Sequence, residues 1–586
     1  MSHRTHVIGA LALGAAALAL PDQAAACGGF FCSSVPMDQS KERIVFAIDE
    51  EAGKVDVHVQ IFFQGEARAF AWVVPVPGVP EVGLSTDQLF QTLDWQTRPY
   101  FNLDWKEKGS CVYDGGIFYG PEAALDDADS GAGGGPPSDG VTVEAEGQTG
   151  PYDWKVVSAT SKQALLDWLA DPDGNPSTAD AYQVPPTFDG AVGPYVDGGS
   201  RFVAFRLTAD ADAGDITPVR LRYDGDKALI PLVLTSIAAV PDMRLQPFVF
   251  ASKRAVPENY LHVRINEAKI NWLTNGSNYE DVISQAADEA GGQAFATDFH
   301  GPTAPLRGQL YRPGQFDLDA IRDLTDVTDL VTTLLVQGFP RTAQMQNLLR
   351  DHLPLPEAAV KAGIDERSFY NCLDCYAQYL QGVDFDFDAF ADDLDELVIQ
   401  PIVEAEALYH DHDVLTRMTS SMDPREMTLD PRFVLNPDMT APVSNQHRAT
   451  LVIDCGDGGK WSESPRWIEL EDGTVLQVPD DQWFWDNGGY EAWPAGDDQP
   501  AALVIEKTAA RGQPEPFQDR TEEVDALVEA YNAWVTSLGG DKGTDPLGDD
   551  DAALRACGGC ASGGLGSGAP AGLLLVGLLG LRRRRS

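Results

Sequence analysis

Over residues 54–63 apolar side chains fall at every second position, Val55, Val57, Val59 and Ile61, with Asp56, His58 and Gln60 between them. That period puts one set on each face of a strand, so the segment predicts a strand with one buried face. The run 42–49 precedes it across the polar stretch 50–53, and the two predict an antiparallel hairpin. A third strand is expected at 69–74, stopped by Pro75, Pro77 and Pro80, which cannot donate to a ladder. Residues 85–93 begin with Ser-Thr-Asp and read as a capped helix. Further on, 150–158 predicts a strand and 161–170 a helix, followed by strands at 201–207, 219–223, 229–234, 245–251 and 262–265. Beyond Pro302 the period turns helical, at 326–337, 343–351, 357–380 with interruptions, and 390–408 with Pro401 as a break. Strands resume at 450–454, 466–471 and 474–478, and 524–538 closes as a helix.

The pattern predicts an α+β fold, mainly antiparallel sheets with a helical segment in the middle of the chain and more than one lobe. The expected organisation is a signal peptide at 1–26, then a β-rich α+β lobe at 27–315 with an acidic, Gly-rich flexible loop at 126–140. A helical region at 316–425 and a second β-rich region with its closing helix at 426–538 follow. A Gly/Asp-rich tether at 539–560 leads to an anchor at 561–586.

Both ends carry addresses. Arg4 precedes an apolar run at 7–20, too short to span a membrane, and Ala24-Ala25-Ala26 supplies the small residues of a signal-peptidase site before Cys27. A cysteine after the cut also raises lipoprotein processing, but Ala24 stands where such sites usually carry Leu. At the other end, residues 571–581 are densely apolar and four arginines, Arg582 to Arg585, follow. The leucines and valine there contribute about −2 to −4 kcal/mol toward insertion, and the arginines hold their end cytoplasmic. The tail, with Cys557-Gly-Gly-Cys560, the apolar segment and the arginine cluster, resembles the MYXO-CTERM sorting signal of myxobacteria and their relatives. That resemblance implies cleavage by a sortase-like protease and transfer to the cell surface, with Cys560 the processing residue and Cys557 second choice. An ordinary single-span tail anchor is the alternative. The localisation expected is exported and membrane-anchored, on the outer-membrane side of a Gram-negative bacterium.

Charge narrows the partners. The formal net charge is −48, so the chain repels nucleic acid and anionic lipid, and nucleic-acid binding is excluded as a role. Outside the tail there are six cysteines, and an oxidising compartment makes disulfides their default. Of fifteen possible connectivities, the pairing expected is Cys27 with Cys32, Cys372 with Cys375, and Cys111 with Cys455. The Cys-x-x-Cys at 372–375 lacks the preceding strand of a thioredoxin-like site, because the residues upstream read as helical.

A second resemblance covers far more of the chain. The blocks "ACGGFFC", "HVQIFFQGEARAFAWVVPVP", "GPYDWKVVSATSKQALLDWL", "VGPYVDGGSRFVAFRL", "PLVLTSIAA" and "TRMTSSMDPREMTLDPRF" resemble the uncharacterised bacterial domain-of-unknown-function family twenty-three thirty, over residues 26 to about 450. That family implies exported proteins and supplies no catalytic residue. The loop at 126–140 and Ser200 in "GGSRF" depart from its pattern.

Candidate chemistry is sparse. His410 and His412, beside carboxylates, are the best metal candidates, yet residues two apart on a helix lie about 200° round its axis and cannot share an ion. A helix restarting at Val414 with Asp413 as N-cap accounts for the same residues. Trp483, Trp485, Tyr490 and Trp493 stand among amides and carboxylates, the chemistry of a ligand surface for a glycan or envelope protein. No GxSxG, HExxH, Walker or Rossmann fingerprint stands in a usable context, and no cofactor is implied. The partners expected are therefore signal peptidase, a sortase-like protease, the membrane and that ligand. The sequence points to an exported ectodomain acting by contact or adhesion rather than turnover; the alternative is a secreted hydrolase of an extracellular polymer.

Overall fold

The computed structural model describes residues 30–31, 38–64, 71–112, 141–170, 188–207, 217–226, 228–461, 464–479 and 499–539. The residues expected as a signal segment, those at 126–140, the aromatic stretch at 483–493 and the C-terminal tail lie outside them. Among the described residues no helix is long and apolar enough to cross a membrane.

The hairpin Asp38–Asp49 and Lys54–Gln64 forms as expected, pairing Ile44 with Val59 and Phe46 with Val57. It lies within a ten-stranded sheet. From one edge the strands run Glu515–Asp519, Ala502–Lys507, Leu261–Ile265, Ala294–Pro302, Val414–Met422, Ala239–Ala251, then the hairpin, Val219–Asp224 and Glu81–Leu84. Neighbours are antiparallel except at two places, Leu261–Ile265 beside Ala294–Pro302 and Ala239–Ala251 beside Asp38–Asp49. The five residues from Ile44 to Ile48 are apolar without alternation because both faces of their strand are covered. Ile44, Phe46 and Ile48 face one core and Val45 and Ala47 another.

The first core lies between this sheet and a five-stranded one, ordered Phe30–Phe31, Ala71–Val76, Arg201–Leu207, Tyr152–Ala159 and Val141–Thr149. Trp72 stacks on Phe205 there, ring centroids 5.1 Å apart. Helices Lys162–Ala170 and Phe188–Asp197 cover the outer face. The second core packs helix Asp87–Thr97 and the helices between Leu318 and Asp411 on the opposite face of the central sheet. The fold is thus α+β in several lobes, layered helix, sheet, sheet, helix.

Sheets do not follow the order of chain segments. Strand Tyr100–Val112 pairs in parallel with Gln446–Lys460, in a four-stranded sheet with Arg466–Leu470 and Val475–Val478, and Cys111–Cys455 bridges the two strands. The closing helix Thr521–Gly539 buries Val524 and Val528 on this sheet. Its Asn532 caps the edge strand, accepting from the Gln477 amide and donating to the Val475 carbonyl.

Three expectations are corrected. Pro75 does not stop its strand, which runs Ala71–Val76, because at Pro75 the strand pairs on one side only and a missing N–H breaks no bond there. The expected strand at 229–234 is a two-residue strand, Ala228–Leu229, followed by the short helix Leu232–Thr235, with Pro231 at its N-terminus. Val414 begins a strand, Val414–Met422, not a helix. The capped helix expected at 85–93 forms as Asp87–Thr97, with Thr86 as its cap accepting from the Gln88 amide, while the Ser85 hydroxyl bonds His58 at 2.7 Å. Near Pro401 a π-turn, Asp395–Ile399, joins helix Phe387–Leu394 to helix Gln400–Asp411, so the missing N–H falls in a first turn.

Glu42 shares a face with Ile44 and Phe46, so its carboxyl enters the core between the sheets, where Gln39 donates to it at 3.2 Å. Burial pushes that carboxyl up to about 7 from 4.5. The native state therefore holds the proton more tightly than the unfolded chain. This stabilisation is whole below pH 4.5 and is lost as pH rises through 7. Replacing Glu42 by Gln should then raise stability at pH 8 by about 3 kcal/mol and leave it little changed at pH 4.5. Urea unfolding of both proteins at the two pH values checks this; an equal difference at both would refute the assignment.

Candidate functional site

A cleft of about 740 Å³ opens where the edge of the central sheet meets the four-stranded sheet and the start of the closing helix. Three strands of the central sheet build one of its walls. His262 is the second residue of Leu261–Ile265, directly opposite Glu506 in the ladder with Ala502–Lys507. His262 Nδ1 lies 2.8 Å from Glu506 Oε1, and Nε2 lies 2.9 Å from the Oγ1 of Thr297 on the strand at the other side. His262 is 5% exposed and Glu506 7%. With its proton on Nδ1, His262 donates to Glu506, and Nε2 accepts from the Thr297 hydroxyl. The result is an acid–base–hydroxyl relay in which the hydroxyl borders the cleft.

The next residue, Asp298, is the extra residue of a β-bulge: the ladder pairs Thr297 with Met418 and Phe299 with Arg417. Its carboxylate accepts from Arg417 Nε at 3.0 Å and from the hydroxyls of Thr419 and Tyr279. Arg417 also pairs with Asp94 at 3.2 Å, tying helix Asp87–Thr97 to the sheet. Burial and the negative Asp298 hold the Tyr279 phenol well above its ordinary range, so it stays a donor. This cluster is satisfied from within and reads as support for the cleft floor.

Elsewhere on the wall, His447 Nδ1 lies 2.8 Å from Glu267 Oε1 and its ring stacks on Phe101. Arg254, at the start of Arg254–Pro257, is 8% exposed and also borders the cleft. Burial and the positive Arg254 push His300 down to about 4, leaving it neutral at pH 7.

The residues singled out by sequence stand apart from this cleft. His410, near the end of helix Gln400–Asp411, lies 3.3 Å from Glu406 Oε1, and His412 contacts the Leu408 carbonyl through Nδ1. Among the described residues they join no group of three ligating atoms. Cys372 and Cys375 gather with Asp374, but the two sulfurs are bonded to each other, which removes both thiolates as ligands. Cys111 is bonded to Cys455. Ala26, Cys27, Cys32, Cys560, Trp483, Trp485, Tyr490 and Trp493 lie outside the described residues. Sequence reasoning missed His262, Thr297 and Glu506, which are 35 and 244 residues apart in their contacts and share no motif.

The family model described as "Uncharacterized protein conserved in bacteria (DUF2330)" matches residues 21–352. That interval holds Arg254, His262, Thr297 and Asp298; Arg417 and Glu506 lie beyond it. No curated protein matches the chain. Among solved structures, one described as the crystal structure of baculovirus P35 aligns over 38% of this chain and 66% of its own, at 12% identity and a TM-score of 0.22. This chain thus spans less than two thirds of that structure, and a likeness of that size carries no argument.

Replacing Arg417 by Met should leave Asp298 charged and buried without its cation, at a cost of about 3–5 kcal/mol in urea unfolding followed by tryptophan fluorescence. Pairing that change with Asp298→Leu should recover part of the loss. A single variant as stable as the parent would contradict the role given to this pair.

Proposed function

We propose, from the premise that this chain belongs to the DUF2330 family of uncharacterised bacterial proteins, that it is an exported, surface-anchored ectodomain that works by binding rather than turnover. The bridge between Cys111 and Cys455 carries the reading. It fastens strands 344 residues apart, and every cysteine among the described residues is paired, the state thiols keep outside the reducing cytoplasm. The signal-like start and the arginine-capped tail agree with it. The ligand surface is the cleft, and the aromatic stretch with Trp483 and Trp485 is a second surface for a glycan or envelope protein.

On this reading the mature protein starts at Cys27 and ends near Cys560, and reduction adds two hydrogens for each of three bridges. Intact mass spectrometry of protein from the native envelope, with and without reductant, checks all three points at once. An uncut chain with eight free thiols would end the proposal.

A second reading, a secreted hydrolase, is favoured by one observation, the Glu506–His262–Thr297 relay. If it is right, a fluorophosphonate probe labels Thr297, and His262→Gln lowers the labelling rate by about 10²-fold or more. Equal labelling of both proteins, or none, would leave the relay a structural hydrogen-bond chain.

A further inference from the structure

Among the described residues the buried cations Lys269 and Arg466 donate to the carbonyls of Gln499 and Ser464, and others meet carboxylates; Arg254 differs from them. Arg417 meets Asp298 and Asp94, Arg220 meets Glu81 and Glu404, and Arg43 meets Asp94 and Gln246. The Arg254 guanidinium has no hydrogen bond or ion pair with any described residue, and its Nε is buried with no acceptor. Glu506, the carboxylate that acts on it electrostatically, is already engaged by His262 Nδ1. A buried guanidinium with no directly bonded counter-ion is costly, and Arg254 lines the cleft.

We propose that Arg254 receives the single terminal carboxylate of a ligand lying in this cleft, with the Thr297 hydroxyl beside it. The guanidinium fork matches two carboxylate oxygens in one plane. The acids around it decide what the rest of the ligand looks like. Glu267, Glu471, Asp472 and Asp525 border the same cleft, and the whole chain carries −48. A phosphate or sulfated polymer meets that repulsion with every charge, whereas one carboxylate on a neutral or basic body meets it once and gains attraction elsewhere. The cleft has the volume of a site for a ligand larger than a lone carboxylate ion. The chain end of a basic peptide and a small basic amino acid both fit this chemistry. The inference rests on the reading of the cleft as a binding site and is independent of where the protein is sorted.

The test uses full-length protein in detergent and isothermal titration with three probes: N-acetyl-Lys-Ala-Ala with a free C-terminal carboxylate, the same peptide as its C-terminal amide, and free lysine. Inorganic phosphate is added as competitor. The free-acid peptide should bind at least about tenfold more tightly than the amide, since a charge-assisted bidentate contact is lost. Phosphate should compete poorly. Free lysine binding as well as the peptide would identify the small molecule as the source; weaker binding would identify a peptide end. Arg254→Met should abolish the preference for acid over amide without lowering the thermal midpoint, and Arg254→Lys should retain part of it. Equal affinity of acid and amide for the parent protein, or no binding of any probe, would overturn the assignment, and neither comparison needs a variant to fold. A variant Arg254→Met that unfolds the protein would overturn it too, by giving Arg254 a structural partner. Failure of the export reading appears separately, in the intact mass.

Discussion

Arg417 is 3% exposed, and a guanidinium so deeply buried has to find its counter-charge inside the protein. Its strand, Val414–Met422, lies between Ala294–Pro302 and Ala239–Ala251. Asp298 supplies the charge, and a bulge in Ala294–Pro302 brings it there. In a regular strand Thr297 and Asp298 would point to opposite faces; with the extra residue, both border the cleft. The same ion pair reaches Asp94 and so fixes helix Asp87–Thr97, whose Leu89, Phe90 and Leu93 fill the core on the far side of the sheet. Charge satisfaction, strand irregularity and the position of the Thr297 hydroxyl are therefore one constraint.

What was legible in the sequence follows from how each segment is buried. The hairpin of Asp38–Asp49 and Lys54–Gln64 was readable because Lys54–Gln64 keeps a polar set, His58 and Gln60, on its second face, where they bond Ser85 and Asp87. Val414–Met422 was not readable, because it is buried on both faces and uses hydroxyls as internal bonding groups. Thr416 accepts from the Ala255 amide, Ser420 donates to the Ala294 carbonyl and Thr419 donates to Asp298. A run of buried hydroxyls has the polarity of a loop and neither strand nor helix period. Pro75 misled for a related reason: whether a proline ends a strand depends on which neighbour is absent, and that is a property of the sheet. Helices Val327–Gln337 and Ala343–His352 were readable because each presents an apolar face and a capping side chain, Asp326 and Thr342.

The site was not legible at all, and its chemistry says why. Histidine paired with a carboxylate is a signal only when the two are near in space. His262 meets Glu506 across 244 residues, and among 90 acidic residues nothing along the chain distinguishes that one. The trace that existed was a histidine between Leu261 and Val263 on a predicted strand, a position a buried apolar residue would normally hold. The doublet His410 and His412 attracted notice by adjacency, yet one is half exposed beside Glu406 and the other closes its helix on a carbonyl.

The relay also shows that the cleft is a product of chain closure. Its base and hydroxyl come from within the interval the family model matches, residues 21–352, but its carboxylate comes from Ala502–Lys507. That strand, second from the sheet edge, pairs with the edge strand Glu515–Asp519 and has two further attachments. It pairs with Leu261–Ile265 on one side, and the Glu289 carboxylate accepts from the amides of Ala501 and Ala502 while pairing with Arg520. Farther round the same core, the parallel strands bridged by Cys111 and Cys455 fix the wall that faces His262. A disulfide closing so long a loop removes much of the unfolded chain's freedom, on the order of 5 kcal/mol in the chain-entropy account. Its larger effect here is positional. Each of the three groups of the relay is carried by a different strand, so a small slip of any one opens a hydrogen bond whose partner remains buried. The geometry of the cleft is therefore only as firm as the pairing of the last strands with the first half of the fold.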